Sequence, residues 1–71
     1  MELHAIRVFL TVATEKSFSR AAEQLMRTQT AVSLAVHSLE AELQETLIDR
    51  SGKTLLLTEA ANIVLEYSTL S

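Results

Sequence analysis

The chain has no cysteine, no proline and a single glycine. Without Cys, disulfide staples and thiolate metal sites are excluded. Without Pro, and with Gly only at position 52, helices are favoured over a loop-rich β fold. No run of about 18 apolar residues occurs, so no segment reads as a membrane span. The opening Met1-Glu2-Leu3-His4 lacks a basic n-region, and Arg7 and Thr11 interrupt the apolar positions that follow. No secretory signal peptide is read there, and a cytoplasmic setting is expected. Basic residues are also scarce. Six Lys and Arg face nine Asp and Glu, a formal net charge of −3, which at first sight argues against nucleic acid.

What is present is one small helical domain. Apolar residues make up 48% of the 71 positions, too many for a disordered chain. A core of this size seldom supplies more than about 3–5 kcal/mol unaided. Good helix packing, a partner subunit or both must make up the rest.

Leu3, Ile6, Phe9, Leu10 and Ala13 recur at helical period, and Ala5, Val8 and Val12 form a second stripe on another side. That second stripe either packs within the chain or leaves surplus for a dimer interface. Ser17 caps a short helix from Phe18 to Leu25, whose Ala21 and Ala22 admit a close neighbour. Met26-Arg27-Thr28 is a turn, with Thr28 capping a longer helix from Gln29 to about Leu43. Val32, Val36 and Leu39 mark its inward side. Its outward side carries Thr30, Ser33, Leu34 and His37, small or polar and nearly free of charge. Leu47-Ile48-Asp49-Arg50 and Thr54-Leu55-Leu56-Leu57 flank Ser51-Gly52-Lys53 and read as a hairpin, with Gly52 placed where a turn needs it. Thr58 caps a last helix, whose main stripe is Ala60, Ile63, Val64, Tyr67 and Leu70. That pattern reaches Ser71 without a Gly or Pro stop signal, so the chain reads as cut rather than finished. The order helix, helix, turn, helix, hairpin, helix is that of a winged helix-turn-helix: mainly α, with three helices, a small two-stranded β wing and the start of a further helix.

Several segments carry a family resemblance: Ser17-Phe18-Ser19-Arg20-Ala21-Ala22, Thr28-Gln29, Ala31-Val32-Ser33, Leu39-Glu40 and Leu57-Thr58. With Leu3, Phe9, Val12, Leu25, Leu43, Leu47, Arg50 and Ala60 in register, the sequence resembles the N-terminal DNA-binding domain of LysR-type transcriptional regulators over essentially its whole length. The resemblance implies a winged helix-turn-helix domain over residues 1–58. It implies that residues 59–71 begin a linker helix that pairs two subunits. An effector-binding domain would follow outside this chain, and any small-molecule effector would belong to it. The implied partners are duplex DNA and a second copy, met through the first helix and the linker helix.

The departures from the family pattern are local. Lys16, Gln44 and Ala61 stand where the family often has Gly, Thr30 and Glu59 where it often has Pro, and Ile48 where it has Phe beside the wing. Most are physically mild; Glu59, for instance, suits the first turn of a helix. Gln44 is the exception, because in a left-handed helix end it costs about 1 kcal/mol relative to Gly. At Ala35, His37 and Ser38, where the family commonly has longer polar or basic side chains, no Lys or Arg is found.

The charge is unevenly spread: −1 over residues 1–15, +2 over residues 16–38 and −4 over residues 39–71, where Arg50 and Lys53 both fall at the wing. Phosphate affinity follows the local field within about 8–10 Å rather than the total. The DNA-contact candidates are Arg27, Thr28, Gln29, Thr30, Ser33, Leu34, His37, Arg50 and Lys53. Gln29 can pair with adenine in the major groove, and Thr30, Ser33 and His37 can meet bases or phosphates. Leu34 can meet a thymine methyl. Thr28 is chiefly a cap, and Arg27, Arg50 and Lys53 suit phosphates. Phe18 is read as core, and Glu40 and Glu42 as ordinary surface charges. No Cys nucleophile, Gly-rich phosphate loop or His-Glu-x-x-His pattern points to catalysis, and no cofactor or metal is expected. Two functions stay open: sequence-specific DNA binding with residues 29–43 in the major groove, and a helical interaction or dimerisation module without strong DNA binding.

Overall fold

The structure is a computed structural model. It describes residues 3–52 and 54–70, excepting the side chains of residues 69 and 70. The elements are α1 (Leu3–Glu15), α2 (Phe18–Leu25), α3 (Gln29–Leu43), β1 (Ile48–Asp49), β2 (Leu56–Leu57) and α4 (Glu59–Leu70). Helices α1, α2 and α3 pack mutually. The antiparallel pair β1–β2, in register Ile48 with Leu57 and Asp49 with Leu56, follows α3. This is the expected winged helix-turn-helix. None of the described helices is long and apolar enough to cross a membrane.

The caps fall where the sequence puts them. Ser17 accepts from the Arg20 amide at 3.1 Å, Thr28 from the Ala31 amide at 3.0 Å, and Thr58 from the Ala61 amide at 3.2 Å. Helices α2 and α3 each end on a left-handed residue, Met26 and Gln44. The next amide in each case, Arg27 and Glu45, reaches back to the carbonyls of Ala22 and Glu40. These Schellman closures satisfy the last carbonyls without glycine. Lys16, after α1, is also left-handed, so its substitution for Gly is as strained as that of Gln44 and not mild. Gly52, by contrast, has no positive φ, and a Cβ there would meet nothing within 4 Å. The wing turn therefore does not need its glycine's conformational freedom.

Side-chain burial revises two helix faces. In α1 the buried residues are Ala5, Val8, Phe9, Val12 and Ala13, while Leu3 is 75% exposed. The stripe Ala5-Val8-Val12 packs within the chain, the first of its two expected readings, and is not available to a dimer partner, because α2 and α3 both pack on α1. In α4 it is Ala61 that is fully buried, with Ala60, Val64 and Leu65 packed beside it. Ile63 and Tyr67 of the expected main stripe are exposed. The centre of the domain is Phe9, Val12, Val32, Val36, Leu39 and Leu47, all with essentially no exposure.

The strands are two residues long rather than four. Amides at and beyond the ends of β1 bond to side chains. Glu40 Oε2 accepts from the Leu47 amide at 2.8 Å and the Ile48 amide at 3.2 Å. Beyond β1, Asp49 Oδ1 accepts from the Ser51 amide at 2.9 Å and the Ser51 hydroxyl at 2.6 Å. An aspartate that bonds two residues ahead turns the chain and ends the strand.

Candidate nucleic-acid interface

Helix α3 places its core side inward through Val32, Val36 and Leu39. Its other side is therefore fixed in orientation by the core. Gln29 and Thr30, in its first turn, are exposed; Leu34 is 63% exposed; His37 is exposed and Ser33 half-buried. Arg27 is exposed in the turn that precedes the helix. The Thr28 hydroxyl oxygen is engaged as the cap, which leaves its proton for a further acceptor. Lys53 lies outside the described residues.

Arg50 does not extend away from the body of the domain. It leaves the end of β1 and lies across α3. Its Nη1 donates to Ser33 Oγ at 3.1 Å and stands 3.1 Å from His37 Nε2. Its guanidinium carbon sits 4.4 Å from the centre of the Phe18 ring. An exposed cation over such a ring contributes about 0.5–1 kcal/mol. Guanidinium has no acceptor, so His37 Nε2 must accept and the ring proton belongs on Nδ1. Nδ1 faces Glu40 Oε1 at 3.4 Å. Three of the expected contact residues, Ser33, His37 and Arg50, thus form one cluster bridging α3 and the wing.

Two members of that cluster were not expected. Phe18 is half-buried and forms the floor under Arg50 as well as joining the core edge. Glu40 is no ordinary surface charge: its side chain is only 14% exposed, and it accepts from the Leu47 and Ile48 amides while facing His37 Nδ1. The spacing of three between His37 and Glu40 is legible on a helix. The amides of Leu47 and Ile48 arrive only through the fold. Asp49 takes no part in the cluster. The Ser51 hydroxyl, then the Ser51 amide, hold its carboxyl below the usual carboxylate range.

A helix-turn-helix whose second helix shows an outward polar face, with an arginine laid over it from a two-stranded wing, defines the winged helix-turn-helix class. Residues 3–62 match the family described as bacterial regulatory helix-turn-helix protein, lysR family, and the chain belongs to it. It is 46% identical over 65 residues to a probable RuBisCO transcriptional regulator of Cyanophora paradoxa, covering 92% of this chain and 20% of that protein. It is 46% identical over 68 residues to the RuBisCO operon transcriptional regulator of Allochromatium vinosum, covering 96% and 22%. The chain therefore spans about a fifth of the length of these relatives. Among solved structures it resembles a LysR-family transcriptional regulator from Eggerthella lenta, with a TM-score of 0.93 and 33% identity over 97% of this chain and 99% of the other. It also resembles the BenM DBD in its complex with catB site 1 DNA, with a TM-score of 0.92 and 31% identity over 99% and 78%.

Proposed function

We propose that the chain is the DNA-reading unit of a transcriptional regulator and binds duplex DNA sequence-specifically, with α3 in the major groove. The observation that carries this reading is the outward face of α3. Gln29, Thr30, Ser33, Leu34 and His37 lie along it, and Arg50 from the wing lies over it. A solvated helix face in an acidic protein would carry more charge; this one offers hydrogen-bond donors and acceptors suited to base edges. The likeness to a domain solved on DNA supports it.

Residues 1–58 are the reading domain in this account, and residues 59–71 begin the linker helix. A second copy belongs to this reading. Half-sites one helical turn apart are separated by about 34–36 Å, whereas the longest dimension of this chain is 26 Å. Effector binding belongs to a domain outside this chain, and the setting is the cytoplasm of a bacterium.

The test is selection of a duplex from a randomised pool, followed by titration of the chain and of Gln29→Ala. Gln29→Ala is expected to lower discrimination at one A·T pair by about 1–3 kcal/mol and leave scrambled DNA bound as before. Equal loss on every duplex would remove Gln29 from base reading, and absence of any enriched duplex would remove the function.

A further inference from the structure

We propose that Arg50 is a base-reading side chain directed at guanine, and that neutral His37 is the positioning residue that holds it in place. The proposal rests on the DNA-binding reading above. Both hydrogens of Arg50 Nη1 are directed within the domain, one to Ser33 Oγ and one to His37 Nε2, each at 3.1 Å. The Nε–H and the two Nη2–H groups remain. Phe18 supports one face of the guanidinium plane, with its ring centre 4.4 Å from the central carbon. Anchored at one nitrogen and backed by a ring, the guanidinium loses little further freedom on binding. Its remaining edge is a two-donor fork, the shape that pairs with O6 and N7 of guanine in the major groove. A phosphate contact needs no such anchoring on the reading helix.

The holding depends on the protonation state of His37. Nε2 accepts from Arg50 only while it carries no hydrogen. Glu40 Oε1 stands 3.4 Å from Nδ1, on the side where that tautomer carries its hydrogen, and the amides of Leu47 and Ile48 in turn hold Glu40 through Oε2. The charged groups facing His37 among the described residues are Glu40 from its own helix and Arg50 from the wing. Helix α2 contributes the uncharged Phe18 ring beneath Arg50, and Asp49 of β1 bonds to Ser51 instead. A second proton on His37 places a donor against the Nη1 donor and a like charge beside the guanidinium. Glu40 keeps the imidazolium, so it is Arg50 that leaves. Base discrimination then falls, while attraction to phosphates does not.

The experiment has two arms. In the free chain, nitrogen and carbon NMR of His37 and Arg50 is followed between about pH 8 and pH 5. The Nδ1–H tautomer is expected at the upper end, with the Arg50 guanidinium resonances shifting in step with His37. His37→Gln, which keeps a neutral acceptor, should leave Arg50 unmoved by pH. An Nε2–H tautomer, or Arg50 resonances indifferent to the state of His37, overturns the positioning role. In the second arm, the duplex selected at the upper pH is compared with versions in which each G·C pair is replaced by A·T. One pair should show discrimination of about 5- to 150-fold. Arg50→Ala and Arg50→Lys should abolish it, acidification should reduce it in the parent chain, and in His37→Gln its size should not change with pH. Unchanged discrimination at every pair in Arg50→Ala overturns the guanine assignment. If no duplex is enriched at all, the DNA-binding reading fails, and the first arm still decides the coupling of Arg50 to His37.

Discussion

Lys16, Met26 and Gln44 hold φ values of 53, 56 and 54, where a side chain is strained and glycine is not. All three are exposed, so none recovers the strain by packing. Gln44→Gly and Lys16→Gly should each raise stability by about 1 kcal/mol, read as a melting temperature higher by about 4–8 °C for a domain of this size. An unchanged or lower midpoint would contradict the strain. Asp49 offers a second test at this scale. Because its carboxyl is held below the usual range in the fold, its contribution is complete above the carboxyl's unfolded value and is lost as pH falls through the folded one. Ser51→Ala removes the leading cause and should raise the Asp49 titration midpoint in carbon NMR. No movement would mean that the Ser51 hydroxyl bond is absent in solution.

At the scale of elements, the contact between α2 and α3 fixes how the reading helix is presented. Ala21 has no exposure and Ala22 almost none; Leu at position 21 has no room. Ala21→Leu should cost about 1–3 kcal/mol by overpacking, and should also weaken duplex binding by shifting α3. Retention of both stability and binding would show that the helices tolerate a wider spacing. Glu40 is the corresponding feature of the wing. Glu40→Ala leaves the partly buried amides of Leu47 and Ile48 without their acceptor, and should lower unfolding free energy by about 1–3 kcal/mol in denaturant titration.

Helix limits and caps were legible because Ser17, Thr28 and Thr58 act on amides three residues away. The left-handed end at Gln44 was legible through the family pattern. The inward faces of α1 and α4 were not. Each helix has two apolar stripes, and periodicity cannot say which one meets the core. Nor could local pattern reveal that Glu40 and Asp49 would hold amides at and beyond the ends of β1, since Glu40 reaches seven and eight residues along the chain. The positions on the outer face of α3 were readable by default, as what remains after Val32, Val36 and Leu39 turn inward. The convergence of Arg50, His37 and Phe18 was not, because it joins three elements.

For the whole molecule, the net charge of −3 conceals a basic reading head on an acidic body. Arg20 and Arg27 belong to the helix-turn-helix and Arg50 to the wing, while Glu42, Glu45, Glu59 and Glu66 lie towards the far end of α3 and on α4. The surface also exceeds that of a typical monomer. A folded chain of 7.8 kDa exposes about 4,400 Å² on average, and this one exposes 4996 Å², with Leu3, Ile63 and Tyr67 among its exposed large apolar residues. Both features suit the unit proposed above, which works beside a second copy on DNA.

The most direct measurement is therefore duplex affinity against salt, for the chain and for Arg27→Ala. Log K is expected to fall linearly with log salt, with a slope of about −0.9 for each phosphate contacted, and with a slope shallower by about one contact in Arg27→Ala. No duplex binding at low salt, from a chain that still self-associates, would contradict it and point instead to a helical dimerisation module.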